Sequence, residues 1–293
     1  MEGDFKMQSY VIFTDSGADI PPATLEGWGV RSVSLTFRFE GDDRERKDCE
    51  MPPREFYRRM RGGEIAKTAA VNIESFLSAF EEHLSSGHDI LYIGFSSGLS
   101  STYASGRKAA EMLLGKYPGR KIYTVDSLSA SAGEGLLVRL ACERRDGGAT
   151  LEECAEYLEG VKRKIAHWFT VDDLVYLNRG GRISSATAFV GNALGIKPIL
   201  HVNNEGRLVS VSRVRGRKKS LAALAEKYGR TAEHPERGPV YISCADCEED
   251  ARALAEMIGT CGAEVELITS VGPVIGSHAG PGTLALFFIG KER

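Results

Sequence analysis

Three apolar segments in the first half of the chain each end in a cluster of serine, threonine and glycine. Their sequences are YVIFTDSGADI, DILYIGFSSGLSSTYASG and KIYTVDSLSASAGEG. Each pattern predicts a buried strand that delivers small hydroxyl residues to the start of a helix. In an open parallel sheet the carboxyl ends of the strands line one crevice, where helix N-termini offer free N–H groups. The three junctions therefore predict an α/β sheet with one edge suited to an anion on a small ligand.

The same junctions also have a purely structural interpretation. Serine, threonine and aspartate are preferred helix N-caps, so a single junction of this kind is usually a capping feature. When three such junctions lie on one edge, a binding crevice explains them about as well as structural capping does. The residues themselves do not identify the anion.

Length and composition restrict the class of protein. With 293 residues, 42% hydrophobic and 26% charged, the chain can bury a sizeable core and is long enough for two domains. Its formal charge of -3 gives no general attraction to nucleic acid or to an anionic membrane. The sequence contains no evident signal peptide and no apolar run of membrane-spanning length. Six scattered cysteines fit a reduced, cytoplasmic setting.

Hydrophobic periodicity predicts alternating strands and helices in the first part of the chain. The predicted strands lie near 8–14, 30–39, 89–95 and 120–126, and the predicted helices near 52–61, 73–86, 99–116, 132–146 and 151–166. Thr150 and Glu153 predict a capping box, and Asn72 predicts an N-cap. This order of elements predicts a mostly parallel sheet.

The regular alternation of predicted strands and helices ends at about Ala166. The segment NNEG between KPILHV and RLVSVSRV predicts a hairpin. The elements expected beyond it are a helix near 217–228, a strand at 239–244, a helix at 247–258 and strands at 263–271 and 283–290. We therefore predict an N-terminal α/β/α parallel-sheet domain over residues 1–166 and a C-terminal mixed-sheet α+β domain over residues 167–293.

One short motif is typical of an enzyme. The segment Gly94-Phe95-Ser96-Ser97-Gly98 fits the Gly-x-Ser-x-Gly nucleophile elbow and lies between a predicted strand and a predicted helix. Possible triad partners downstream are His201, His234, His278, Asp172 and Asp246. A helix start rich in serine and glycine also produces this pattern easily. A serine esterase with Ser96 as nucleophile is therefore the alternative from the enzyme class.

Other motifs give weaker signals. The basic segments 179–182 and 213–219 could grip a phosphate backbone, but both lack aromatic residues that stack on bases. A solvated surface is the simplest explanation, protein docking the next and nucleic-acid binding the third. The pair Cys244 and Cys247 lacks the further ligands of a zinc site, so no metal is predicted. The strand-to-helix junctions carry no nucleotide-binding glycine motif, so no cofactor is predicted either.

Seven segments together resemble the DegV family of bacterial fatty-acid-binding proteins, in this order and across nearly the whole chain. They are TDSGADIP, FSSGLSSTY, VDSLSASAGEGLLV, VDDLVYLNRGGRIS, LGIKPIL, VRGRKKSL and GPVIGSHAGPGTLALFFIG. The resemblance implies a DegV-like fold that is related to the dihydroxyacetone-binding subunit of a phosphotransfer kinase. It also implies a non-catalytic carrier with a long-chain fatty acid in an apolar tunnel and the carboxylate near the domain interface. The carrier would present that carboxylate to a separate ATP-dependent kinase subunit, which makes acyl phosphate for phospholipid metabolism.

The resemblance also implies roles for particular residues. The hydroxyl groups of Thr68, Ser97 and the adjacent Ser96 would bind the carboxylate, and His278 would lie close to the same head group. Three arginines match basic positions of the family, near the head group or in docking the kinase: Arg179, Arg182 and Arg217. Residues 69–71 read Ala-Ala-Val where the family more often has Ser-Gln-Pro, so fewer polar groups surround Thr68.

Overall fold

The first half of the chain builds a four-stranded parallel sheet. The structure is a computed structural model that describes residues 10–184 and 195–293. The strands of this sheet are β1 (Tyr10–Asp15), β2 (Val30–Val33), β6 (Asp89–Gly94) and β7 (Ile122–Asp126), in the spatial order β2-β1-β6-β7. Strands β1, β6 and β7 end at the three predicted clusters of small hydroxyl residues, so these clusters share one edge. Positions 8 and 9 of the predicted first strand lie outside the described residues.

Helices cover both faces of this sheet. They are α1 (Pro22–Gly27), α2 (Pro53–Arg61), α3 (Ile73–Ser85), α4 (Thr102–Lys116), α5 (Ala132–Asp146) and α6 (Leu151–Val161). Helices α3 and α4 pack on one face, and α5 and α6 pack on the other. The side chain of Asn72 accepts a hydrogen bond from the Ser75 N–H at 2.9 Å. Thr150 and Glu153 form a reciprocal capping box, so both predicted helix starts are confirmed.

Residues 30–39 form two strands where the sequence predicted one. After β2 the chain bends, and β3 (Thr36–Phe39) pairs antiparallel with β4 (Arg46–Lys47) and β5 (Ala66–Ala69) in a small separate sheet. The Leu35 N–H donates to the Ser16 hydroxyl at 3.0 Å, and the Asp48 N–H donates to the Leu35 carbonyl at 3.1 Å. These hydrogen bonds between distant residues fix the bend, so the local sequence does not predict it.

The second half of the chain builds a six-stranded mixed sheet in the spatial order β10-β9-β8-β13-β11-β12. Its strands are β8 (Ile165–Thr170), β9 (Ile196–Val202), β10 (Leu208–Arg215), β11 (Val240–Cys244), β12 (Val265–Ser270) and β13 (Leu284–Ile289). Helices α7 (Val175–Arg179), α8 (Arg217–Thr231), α9 (Glu248–Gly259) and α10 (Pro273–Ala279) accompany them. Strands β9 and β10 form the predicted hairpin around NNEG. Helix α10 is an element that the periodicity did not reveal.

The predicted helix 151–166 is shorter in the structure. Helix α6 ends at Val161, a 3₁₀ turn follows over Lys162–Lys164, and β8 begins at Ile165. All six residues of β8 are buried, which is typical of a central strand covered on both faces. The proposed domain boundary at residue 166 therefore falls within this strand.

Helix α5 forms a shared layer between the two large sheets. Leu136 and Leu137 are fully buried in one core cluster that contains Ile12 of β1 together with Phe169 and Phe287 of the mixed sheet. Across residues 10–184 and 195–293, no helix has the length and the apolar composition that a membrane span requires. The division into residues 1–166 and 167–293 remains a proposal, because this core is continuous across it.

Candidate functional site

A cavity of about 260 Å³ lies between the parallel sheet and the mixed sheet. Aromatic and aliphatic side chains from both halves of the chain form most of its wall. Phe169 and Phe287 contribute from the mixed sheet, while Leu35, Phe95 and Leu99 contribute from the first half. Such a largely apolar cavity with a few polar groups is the usual form of a small-ligand site.

Two predicted residues meet at the polar end of this cavity. Thr68 lies on β5 and His278 lies near the end of α10, and both line the wall. The Oγ1 of Thr68 is 2.8 Å from the Nε2 of His278, although 210 residues separate them in sequence. Burial, together with the nearby Arg182 charge, lowers the pKa of His278 to about 4. The imidazole is therefore neutral at physiological pH, and one ring nitrogen carries a hydrogen.

Arg182 lines the same cavity and brings a positive charge to it. Its Nε donates to the carbonyl of Leu99 at 3.2 Å, and its guanidinium also bonds to the carbonyl of Gly180. Burial lowers the pKa of Arg182 from its usual value. Within the described residues no carboxylate forms an ion pair with it, so this half-buried cation favours an anion in the cavity.

Two buried carboxylates hold the helix that carries His278. The Gly272 N–H donates to Asp19 at 2.9 Å, and the Val274 N–H donates to Asp48 at 2.8 Å. A Cβ at position 272 would lie 2.8 Å from Asp19 Oδ1, so only glycine permits this approach. Sequence reasoning overlooked both aspartates, because the donors they bind are more than 200 residues away.

Asp19 and Asp48 belong to a cluster of four buried acids that also contains Asp15 and Glu134. Burial raises the pKa of Asp15 and of Asp48 to about 6. The pKa of Asp19 lies well above its usual value through burial and the charge of Asp48. The pKa of Glu134 lies well above its usual value through burial and the charge of Asp15. Since no cation pairs with these four acids in the described residues, the folded state favours their protonated forms.

The structure places Ser96 and Ser97 away from the cavity wall. The buried Ser96 hydroxyl donates to the carbonyl of Gly206 at 2.8 Å, in the turn of the β9–β10 hairpin. Ser97 is exposed, and its N–H donates to Asp126 at 3.1 Å. Two later serines of the same segment, Ser100 and Ser101, line the cavity instead.

The nucleophile-elbow pattern has a packing explanation. A Cβ at Gly98 would lie 2.6 Å from the Glu205 carbonyl oxygen, so the glycine lets the hairpin turn approach the Ser96 segment. No histidine in the described part of the chain is hydrogen-bonded to Ser96. Of the suggested bases, His201 stacks on Trp168 and His278 bonds to Thr68. The arrangement therefore lacks the general base that an esterase serine needs.

The three predicted arginines have different surroundings. Arg182 lines the cavity, whereas Arg179 is exposed with its guanidinium 5.7 Å from the ring centre of Tyr176. Arg217 forms an ion pair with Asp250 at 2.8 Å and lies 3.8 Å from Asp172. Arg182 is therefore a cavity residue, Arg179 is an exposed charge beside an aromatic ring, and Arg217 is held in ion pairs.

Cys244 and Cys247 lie at the end of β11 and the start of α9. Cys244 is buried, and the Sγ of Cys247 donates to the Thr283 carbonyl at 3.3 Å. Residues 10–184 and 195–293 contain no group of three or more His, Cys, Asp and Glu side chains placed to hold a metal ion.

Comparison with known proteins gives consistent matches over the whole length. A family model described as an uncharacterised protein of the DegV family matches residues 9–291. A DegV domain-containing protein of Clostridium perfringens is 42% identical over 289 residues, which cover 98% of this chain and 99% of the relative. A Thermotoga maritima protein named fatty acid-binding protein is 34% identical over 293 residues, covering 96% of this chain and 98% of the relative.

Solved structures match equally well. The crystal structure of a DegV lipid-binding protein from Thermotoga maritima has a TM-score of 0.85 and 31% identity, covering 97% of this chain and 99% of that one. A DegV family protein from Thermus thermophilus, described as binding fatty acid, has a TM-score of 0.84 and 32% identity, with coverages of 96% and 99%. The fold of these proteins is therefore the fold of this chain.

Proposed function

The chain belongs to the DegV family, and we propose that it binds a long-chain fatty acid in the cavity between its two large sheets. The observation that carries this proposal is that Thr68, His278 and Arg182 lie together on the wall of a largely apolar cavity. Two relatives whose names or descriptions state fatty-acid binding support it, one from Thermotoga maritima and one from Thermus thermophilus. The protein acts as a carrier, and any chemistry on the bound acid belongs to a partner.

The polar end suits a carboxylate for a chemical reason. When His278 donates its Nε2 hydrogen to the Thr68 oxygen, the Thr68 hydroxyl hydrogen is free to point at a ligand oxygen. Arg182 adds a positive charge to the same wall. Hydrogen bonds between charged partners are about twice as strong as neutral ones. The three side chains thus offer one hydroxyl donor and one cation to an anionic head group.

The apolar walls suit an acyl chain. Each buried methylene contributes roughly 0.8 kcal/mol, so a chain of about sixteen carbons gives on the order of 12 kcal/mol before losses. Loss of ligand freedom and desolvation of the carboxylate offset a substantial part of that gain. The net free energy of binding is sufficient for a submicromolar dissociation constant.

The first test is the lipid content of the purified protein. We expect native mass spectrometry to show a mass increase of one long-chain fatty acid, and an organic extract to release that acid unchanged. Delipidated protein should bind added palmitate or stearate with one-to-one stoichiometry. Absence of both bound lipid and titratable binding in folded protein would refute the proposal. Stoichiometric labelling of Ser96 by a fluorophosphonate probe would instead establish the esterase.

We also propose that a separate ATP-dependent kinase subunit phosphorylates the bound acid to acyl phosphate. None of the strand-to-helix junctions in the sequence carries a nucleotide-binding glycine motif, which favours a phosphoryl donor that comes with the partner. The exposed Arg179 lies three residues before the cavity residue Arg182, and the next residue, Gly180, packs against the ring of His278. A positive surface charge there can dock an acidic rim around the active site of the kinase.

Replacing Arg179 with glutamate should slow acyl phosphate formation about fivefold at limiting carrier, because charge reversal at an interface rim lowers the association rate. The affinity for fatty acid should not change. The defect should shrink as salt screens the charge. The measurement is kinase turnover across a titration of the carrier at two salt concentrations.

The control for this prediction is Arg252→Glu, which reverses an exposed arginine of α9 that forms no ion pair within the described residues. It should leave turnover normal. Equal turnover for wild type and Arg179→Glu at every carrier concentration would contradict docking through this residue. Arg217 is unsuitable for the test, since its exchange would break the ion pair with Asp250.

The state of the cysteines supports the proposed cytoplasmic setting. All six are free thiols, and Cys142, Cys154 and Cys244 are buried. Burial raises the pKa of Cys142 to about 12, so this thiol is unreactive at neutral pH. A chain with six unpaired thiols fits a reducing compartment.

A further inference from the structure

The first turn of α10 is held by side chains from the first half of the chain. The helix begins at Pro273, which has no N–H group, so the donors at this helix start include the N–H groups of Gly272 and Val274. Asp19 accepts the first of these hydrogen bonds at 2.9 Å, and Asp48 accepts the second at 2.8 Å. The N-cap residue is a glycine, so α10 has no side-chain cap of its own.

A third group of the first half fixes the chain just before the helix. The hydroxyl of Tyr57, on α2, donates to the carbonyl of Val271 at 2.7 Å. A Cβ at Gly276 would lie 2.4 Å from the same hydroxyl oxygen, so α10 packs directly on this tyrosine. All three side chains are buried. We call Asp19, Asp48 and Tyr57 the α10 seat.

Helix α10 connects the seat to the polar end of the cavity. Val274 and His278 are four residues apart, so they lie on the same face of the helix, about 6 Å apart along its axis. Both residues line the cavity. The Nε2 of His278 lies 2.8 Å from the Oγ1 of Thr68. A displacement of the helix start would therefore change the distance between His278 and Thr68.

The ring of His278 has little room to compensate for such a displacement. It packs closely against Gly180, where a Cβ would lie 2.1 Å from its Nδ1. The three seat residues themselves are not part of the cavity wall. They can therefore influence a ligand only through the helix that they hold.

We propose that the α10 seat positions the head-group site: by fixing α10, it keeps His278 at hydrogen-bonding distance from Thr68, where the carboxylate binds. The seat residues are thus positioning residues that do not touch the ligand. This inference rests on the proposed function, since it assumes a carboxylate at this end of the cavity. Its signature is a loss of affinity that depends on the carboxylate and not on the acyl chain.

The test compares delipidated wild type with Asp48→Ala in calorimetric titrations with laurate and 1-dodecanol, which share a chain length and differ in head group. The alanine leaves the buried Val274 N–H without its acceptor. We therefore expect about tenfold weaker laurate binding, and 1-dodecanol affinity within about twofold of that of the wild type. Asp48→Asn keeps an acceptor oxygen for this N–H and should restore laurate affinity.

Two further variants separate positioning from a general loss of packing. Glu134→Ala truncates another buried acid, which bonds to Thr14 rather than to α10, so the ratio of the two affinities should stay that of the wild type. In a Thr68→Val background, Asp48→Ala should have little further effect on laurate, because both changes remove the same head-group interaction. Additive losses in the double variant would contradict the inference.

The outcomes distinguish this inference from the proposed function. A wild type that binds neither ligand would overturn both. Laurate binding by Asp48→Ala at wild-type affinity, or an equal loss for both ligands, would overturn only the role of the seat. If Asp48→Ala does not fold, Tyr57→Phe decides, because it removes one hydroxyl and keeps the ring. It should weaken laurate binding about threefold and spare 1-dodecanol, and unchanged laurate affinity would refute the inference.

Discussion

Exchanging Thr68 for valine together with Arg182 for methionine should weaken fatty-acid binding by at least about a hundredfold. Each hydrogen bond to a charged group contributes roughly 1.5–3 kcal/mol, and the double variant removes the hydroxyl donor and the cation that face the carboxylate. Valine keeps the shape of threonine, so the wall of the cavity is preserved. Calorimetric titration of the delipidated variant with palmitate measures the loss.

Ser97→Ala is the matched control. This serine is exposed and is not part of the cavity wall, so its exchange should leave palmitate affinity unchanged. Weaker binding in this variant would restore the head-group role that the sequence alone suggested for it. Unchanged palmitate affinity in the folded double variant would refute the assignment of the polar end.

The second large effect concerns the buried acids. Unfolding free energy should fall as pH rises from 5 to 8, because burial raises the pKa of Asp15 and of Asp48 to about 6. A group whose pKa is raised on folding stabilises the protein below its unfolded pKa. That stabilisation is lost as pH passes the folded value. A rise from 3.8 to about 6 corresponds to about 3 kcal/mol for each of these two groups over the whole titration, and about half of that is lost between pH 5 and pH 8.

Glu134→Gln should stabilise the protein and flatten this decline. The Oε1 of Glu134 accepts from the Thr14 hydroxyl at 2.8 Å, and its buried Oε2 has no hydrogen-bond partner among the described residues. Glutamine keeps the first bond and removes the acidic group, whose pKa burial and the Asp15 charge raise well above its usual value. The gain should grow as the pH rises, because the charged form of the buried glutamate is the one that burial disfavours.

Urea unfolding at four pH values between 5 and 8 measures how the unfolding free energy of the wild type and of Glu134→Gln changes with pH. The control is Glu156→Gln, an exposed glutamate on the neighbouring helix α6, which should keep the wild-type slope. A variant Glu134→Gln that loses stability at pH 8 would show that the carboxylate is needed in its charged form, and the assignment of protonated buried acids would be wrong.

Local features of the fold were predictable because their signals lie close together in sequence. The capping box of Thr150 and Glu153 and the N-cap Asn72 depend on contacts three residues apart. The NNEG hairpin depends on a turn between adjacent apolar runs. The strand-to-helix junctions placed small hydroxyl residues on one edge of a parallel sheet. The prediction of a single strand over residues 30–39 was wrong because the bend in this segment depends on distant residues. Ser16 and Asp48, which lie outside the segment, fix the bend through hydrogen bonds.

The sequence by itself was sufficient to identify the family and to predict the order of most helices and strands. It also identified Thr68, Arg182 and His278 as candidate site residues. Only the tertiary structure decided that these three share one cavity wall while Ser97 does not. The physical reason is that hydrogen bonding within a turn is set by nearby residues, whereas burial, charge proximity and cavity shape arise from chain segments that only folding brings together.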